Sequence, residues 1–145
     1  MGNNTSLNST DELNLRIAYL NILQNIIGRM STYVLAIKTA SLTTLTALLA
    51  YSASDNVCFH GWIFLIPWAF FVGYHAFFLR LERAFREIYN LTIDKDSLEL
   101  SDLKINAKKI KDASPAWSEV LSSAPLCIFH LVLLFVIYIS YISLG

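Results

Sequence analysis

"YVLAIKTASLTTLTALLAY", residues 33–51, is long enough to cross a hydrocarbon core of ~30 Å as a helix, which takes roughly 20 mostly apolar residues. Yet it holds Lys38 and five hydroxyl side chains, Thr39, Ser41, Thr43, Thr44 and Thr46. A helix so rich in hydroxyls can instead lie flat in the interface. The sequence beyond it favours spanning: "SASDN" (52–56) is a short polar turn, and "VCFHGWIFLIPWAFFVGYHAFFL" (57–79) is a second apolar run, so the two form a helical hairpin. A third run, "LCIFHLVLLFVIYISYISL", covers 126–144. The expected fold is an all-α integral membrane protein with three transmembrane helices.

Composition agrees. Of 145 residues, 55% are hydrophobic and only 15% charged, with a mean hydropathy of +0.50, too apolar for an ordinary soluble domain. Eleven basic residues balance eleven acidic ones, so net charge suggests no polyanionic partner, and no nucleic acid is expected.

Charge placement sets an orientation. Arg16 and Arg29 precede the first span, and Arg80, Arg83, Arg86, Lys95, Lys104, Lys108, Lys109 and Lys111 lie between the second and third, whereas the 52–56 turn carries no basic residue. The N-terminus and the 80–125 segment are therefore expected in the cytoplasm, and the C-terminus outside. The chain then divides into a polar, disordered tail (1–10), a cytoplasmic amphipathic helix (11–32), spans at 33–51, 57–79 and 126–144, and a cytoplasmic helix extension and loop (80–125). Cys58 and Cys127 fall at opposite ends of their spans, too far apart for a disulfide, and are expected as free thiols.

The N-terminus lacks the basic and apolar parts of a signal peptide, so the first span is the expected insertion signal. "MGNNTS" fits a myristoylation pattern, and Asn3, Asn4, Asn8 and Asn90 head glycosylation sequons, both short and frequent by chance. At "STDE", Ser9 or Thr10 can cap a helix whose first turn holds Asp11 and Glu12.

From Asp11 to Tyr51 there is no proline and one glycine, Gly28, so the amphipathic segment and first span are expected as one long helix. Steps of three and four residues trace one face: Asn14, Ala18, Asn21, Asn25, Gly28, Thr32, Ala36, Thr39, Thr43, Thr46 and Ala50. Every member is small or uncharged and polar. In lipid such a stripe is an ordinary helix-packing seam, because small residues allow close backbone approach. It can also face water, as the neutral, hydroxylated wall of an oligomeric pore. Lys38 lies off this face, placed to snorkel toward headgroups, and Ser41 and Thr44 are free to bond their own helix carbonyls.

Pro67 is expected to kink the second span near its middle. His60, His75 and His130 have no Cys, Asp or Glu at ligand spacing, so no metal site is expected and they read as interfacial or hydrogen-bonded histidines. "FFLRLERAFREIYN" carries the second helix onward, with i,i+4 pairs Glu82–Arg86 and Arg83–Glu87 above an apolar stripe of Phe78, Leu81, Phe85 and Ile88. Arg80, Arg83 and Arg86, with Lys38, are candidates to contact headgroups or an anionic signal. In the loop, "SLELSDLKI" suits a short strand or loose helix, "ASPAWSEV" reads as a helix start with Pro115 in its first turn, and Trp117 is expected at the interface beside the third span.

Two segments carry a resemblance. Gln24, Ile27, Arg29 and Met30, and then Leu79, Arg80, Glu82, Arg83, Phe85, Arg86 and Tyr89, match motifs of a family of short three-span bacterial inner-membrane proteins that carries no assigned activity. Phe78 replaces a tyrosine of that pattern and Ile88 a leucine. The architecture also looks broadly like the small transmembrane effectors of antiphage defence systems, which permeabilise the inner membrane.

No phosphate-binding loop, dinucleotide fingerprint, zinc-protease helix, nucleophile elbow or C-x-x-C occurs, and no acidic pair lies in a span, so no catalytic residue, metal or cofactor is assigned and an enzyme is not expected. Three spans leave the seam partly unburied, which points to a homo-oligomer in the lipid bilayer. The expected function is a small oligomeric effector or channel-like protein altering permeability, triggered by a signal or partner protein at 80–118. The alternative is a non-conducting anchor or adaptor that binds another membrane protein through the seam.

Overall fold

The computed structural model describes residues 9–54, 62–97, 99 and 101–144. Its helices run in the order α1 (Ser9–Ser52), α2 (Trp62–Ile93), α3 (Ala107–Ala113), α4 (Trp117–Leu121) and α5 (Ala124–Leu144), with no strand among the described residues. Three of them, α1, α2 and α5, are long and apolar enough to cross a membrane.

Helix α1 is continuous over 44 residues, as the absence of proline predicts. At 1.5 Å per residue it is roughly 65 Å long, about twice a hydrocarbon core, and the 32 residues of α2 make roughly 48 Å. The 21 residues of α5 make about 31 Å, one core thickness. So α1 and α2 form a long pair with a shared charged overhang, and α5 covers only its apolar half.

Three clusters mark levels along this pair. In the overhang, Tyr19 and Leu23 of α1 meet Phe85 and Ile88 of α2, with Leu103 and Ile110 of the loop and α3 packed against them. Next, Val34, Ala76 and Leu79 meet Val120 of α4 and Leu126 of α5. At the far end, Leu45 and Phe64 meet Leu133 and Ile137.

Several boundaries differ from the sequence expectation. Ser9 and Thr10 are already helical, so the cap position falls outside the described residues, as do the sequon asparagines Asn3, Asn4 and Asn8, the last two residues of the 52–56 turn, Cys58 and His60. Helix α2 is described from Trp62, with Pro67 inside it, and the earlier part of the expected 57–79 span lies outside the described residues. "SLELSDLKI" forms turns rather than a strand over its described residues. Helix α3 was not anticipated; its signal is Asn106, whose side-chain oxygen accepts from the Lys109 N–H at 2.8 Å as an N-cap. Pro115 precedes Ala116, the N-cap of α4, rather than sitting in its first turn.

Candidate functional site: an exposed polar face and a buried histidine pair

The eleven residues of the α1 stripe, Asn14 through Ala50, are all exposed. Helix α1 turns its other side inward, burying Tyr19, Leu23, Val34, Ser41 and Leu45. Among the described residues no helix covers the stripe, and its hydroxyls look after themselves. Thr32 donates to the Gly28 carbonyl at 3.0 Å, Thr39 to Leu35 at 3.1 Å, Thr43 to Thr39 at 3.0 Å and Thr46 to Leu42 at 2.9 Å. Each removes its own donor from the solvent problem by bonding back one turn. Thr32, Leu35, Ala36, Thr39, Ala40, Thr43 and Thr44 line a shallow open groove of about 590 Å³, and a second groove of about 550 Å³ runs past Gln24, Asn25, Gly28 and Arg29.

The inner side of α1 leads to a polar cluster. Ser41 is 4% exposed and bonds its own helix as expected, donating to the Lys38 carbonyl at 2.8 Å. Lys38 reaches toward α5, its Nζ lying over the Phe129 ring at 5.6 Å. Beside Phe129 stands His130, 3% exposed, and facing it from α2 is His75, 0% exposed. Their rings bond directly, His75 Nδ1 to His130 Nε2 at 3.0 Å, with the donor set by the tautomer. Trp68 Nε1 donates to the His130 carbonyl at 3.3 Å, and its ring meets His130 edge-on at 6.3 Å. The far nitrogens, His75 Nε2 and His130 Nδ1, are buried without a partner.

That pairing was not drawn from the sequence, although a signal existed. His75 lies four residues before the end of the second apolar run, His130 four residues into the third, and Lys38 five into the first. In an antiparallel arrangement these positions share one depth, so comparing polar residues by depth finds them where ligand spacing does not.

The basic residues of α2 have divided roles. Arg80 Nε donates to the Pro115 carbonyl at 2.9 Å, and its guanidinium lies over Trp117 at 4.8 Å. Trp117 therefore docks on Arg80 of α2. Arg86 pairs with Glu82 at 2.6 Å, as the i,i+4 spacing predicts, but Arg83 and Glu87 form no ion pair. Arg83 is half-buried, and among the described residues its side chain has no hydrogen-bond partner.

A set of polar contacts fastens the loop to the overhang. Arg16 donates to the carbonyls of Lys95 at 2.8 Å and Asp96 at 3.3 Å. Lys109 donates to the Tyr19 hydroxyl at 3.2 Å and to the Asp102 carbonyl. Lys95 Nζ donates to Asp102 Oδ1 at 2.6 Å and the Glu99 N–H to Oδ2 at 3.1 Å, which together hold the Asp102 carboxyl below the usual carboxylate range. Among the described residues no group of three or more His, Cys, Asp or Glu side chains is placed to hold a metal ion.

No protein-family model, curated protein or solved structure matches the chain.

Proposed function

We propose that this chain is a small multi-pass inner-membrane protein that assembles with copies of itself through the outer face of α1 and, as an oligomer, alters membrane permeability. One observation carries the reading: a stripe running nearly the whole length of α1 is small, uncharged and exposed throughout its eleven residues. Small residues let a second helix approach closely, which is how helices associate where the solvent is as apolar as they are. In this reading the basic residues orient the N-terminus and the 80–118 region toward the cytoplasm, where a signal or partner would act.

A second reading is favoured by the threonine bonds. Hydroxyls that already bond their own backbone need no water, so the same face serves a non-conducting adaptor that docks on another membrane protein. Liposome flux separates the two. Replacing Thr39, Thr43 and Thr46 with leucine should abolish ion flux while oligomers persist if the face lines a conducting path. Wild-type protein that gives no flux yet co-purifies with a distinct membrane protein makes the adaptor reading the right one. Labelling of Cys58 and Cys127 from each side of the membrane checks the orientation.

A further inference from the structure

The junction of α1, α2 and α5 has a feature that neither reading above uses. Two neutral imidazoles joined by one hydrogen bond hold two N–H protons among four nitrogens. If His75 Nδ1–H donates, His130 must carry its one proton on Nδ1, leaving His75 Nε2 a bare lone pair; if His130 Nε2–H donates, the roles reverse. Either way one far nitrogen is a buried donor with no acceptor and the other a buried acceptor with no donor. Native interiors seldom leave such groups unpaired, and a polar group of this kind at membrane depth is a functional candidate by default.

One proton added from water fits that vacancy. It bonds to the bare lone pair, both far nitrogens then bear N–H, and the third proton stays shared between the rings. The pair now carries one positive charge. Nothing nearby neutralises it. From α1 the facing charged group is Lys38, a second cation; from α5 it is His130 itself. On α2, Arg80 and Glu82 are engaged elsewhere, with Pro115 and with Arg86, and Tyr74 is exposed. Helix α4 contributes only Glu119, which is exposed. Apolar layers close the junction on both sides, Val34, Leu79 and Leu126 on one and Leu45, Phe64 and Leu133 on the other. A cavity of about 10 Å³ that Ser41, Trp68 and Leu133 help to line has the size of a single water, but neither histidine lines it, so water reaches the charged pair only if the helices shift.

We propose that the His75–His130 pair is a proton-binding site, and that uptake of one proton unseats α5 from the α1–α2 pair. Helix α5 is the element to move because two of its polar attachments at this level, the ring-to-ring bond and the Trp68 bond to the His130 carbonyl, are centred on the pair, and the third, the Lys38 contact with the Phe129 ring, lies beside it. Two unpaired cations in a dry junction repel, and letting water in beside α5 is the relief available. The inference concerns motion within one chain and does not depend on self-association or flux.

The test uses the full chain in lipid nanodiscs with His60→Gln, so that the pair supplies the only histidine signals. Side-chain 15N spectra from about pH 8 to about pH 4, bracketing the free imidazole value of ~6.5, follow protonation. Spin labels at Ile66→Cys and Tyr138→Cys, two exposed positions on α2 and α5, in a Cys58→Ser, Cys127→Ser background, follow the helices by distance measurement. The expected result is that imidazolium signals and a longer, broader α2–α5 distance appear together, and that His75→Gln, His130→Gln and their combination each lose the distance change. The proposal is overturned if imidazolium forms with no change in distance, if the rings stay neutral over the whole range, or if the distance change persists in the doubly substituted chain.

Discussion

The outer face of α1 and the junction on its inner side both place polar groups in apolar segments, and they solve the problem in opposite ways. On the outer face Thr32, Thr39, Thr43 and Thr46 bond their own helix, so each is satisfied before any partner arrives. At the junction His75 and His130 are satisfied only through one another, and each keeps an orphan nitrogen. A count of polar residues singles out the outer face. A count of unpaired polar atoms favours the junction, and in a low-dielectric setting the unpaired atoms carry the larger cost.

The largest expected effect comes from the two sides of α1 where they lie in the overhang. Leu23 is 0% exposed and packed against Phe85 and Ile88, so Leu23→Ala should cost about 2–5 kcal/mol through lost burial and the cavity left behind. Asn21→Ala, two residues away on the exposed face, should change the stability of the single chain by less than about 0.5 kcal/mol. Reversible unfolding in mild detergent measures both. A large loss from Asn21→Ala at dilute protein would mean that the outer face is covered in the monomer, and the contrast would fail.

At the junction, His130→Leu removes the partner of a fully buried nitrogen and should cost about 1–3 kcal/mol. Replacing both histidines with leucine should cost less than the sum of the single changes, because no orphan is then left behind. The sign of that coupling, taken from the four proteins of a double-mutant cycle, tells whether the pair acts as one unit.

The fold was largely legible because length and periodicity speak directly. The 44-residue helix followed from an uninterrupted run without proline, and three apolar segments gave three long helices. Helix α3 escaped because its seven residues, AKKIKDA, carry no sustained apolar period and are placed by the Asn106 cap and by Ile110 packing on the overhang. The outer stripe was traced in full, since a helical face is a local property. The junction was not, because what makes it notable is contact between residues 55 positions apart in the chain. Spacing rules read one element at a time, and His75 and His130 belong to two.

The same contrast recurs one helix away. Arg80 turns inward to the Pro115 carbonyl and the Trp117 ring, whereas the Arg83 side chain on the next turn has no hydrogen-bond partner among the described residues. Arg80→Gln should cost about 1–2 kcal/mol, a charge-assisted bond plus a stacked cation, and should speed proteolysis between α3 and α4. Arg83→Gln should leave the rate unchanged. Equal effects would show that the corner is held by Val120 and its apolar neighbours alone.

The smallest effect on the single chain is the most informative about its outer face. Valine matches threonine in shape and removes only the hydroxyl, so changing Thr39, Thr43 and Thr46 together to valine gives up three bonds to the same helix and no bond to another. Stability of the dilute chain should shift by no more than about 0.5 kcal/mol per site. Self-association then decides what kind of surface this is. If copies meet by close approach of small side chains, the valine chain should still cross-link through a cysteine at Ala36, because the shape of the face is kept. If the hydroxyls exchange their own carbonyl for a partner across the contact, cross-linking should fall while the fold stays intact. The leucine substitutions add bulk and disturb both modes, so the difference between the valine and leucine chains isolates the hydroxyl from the space it occupies.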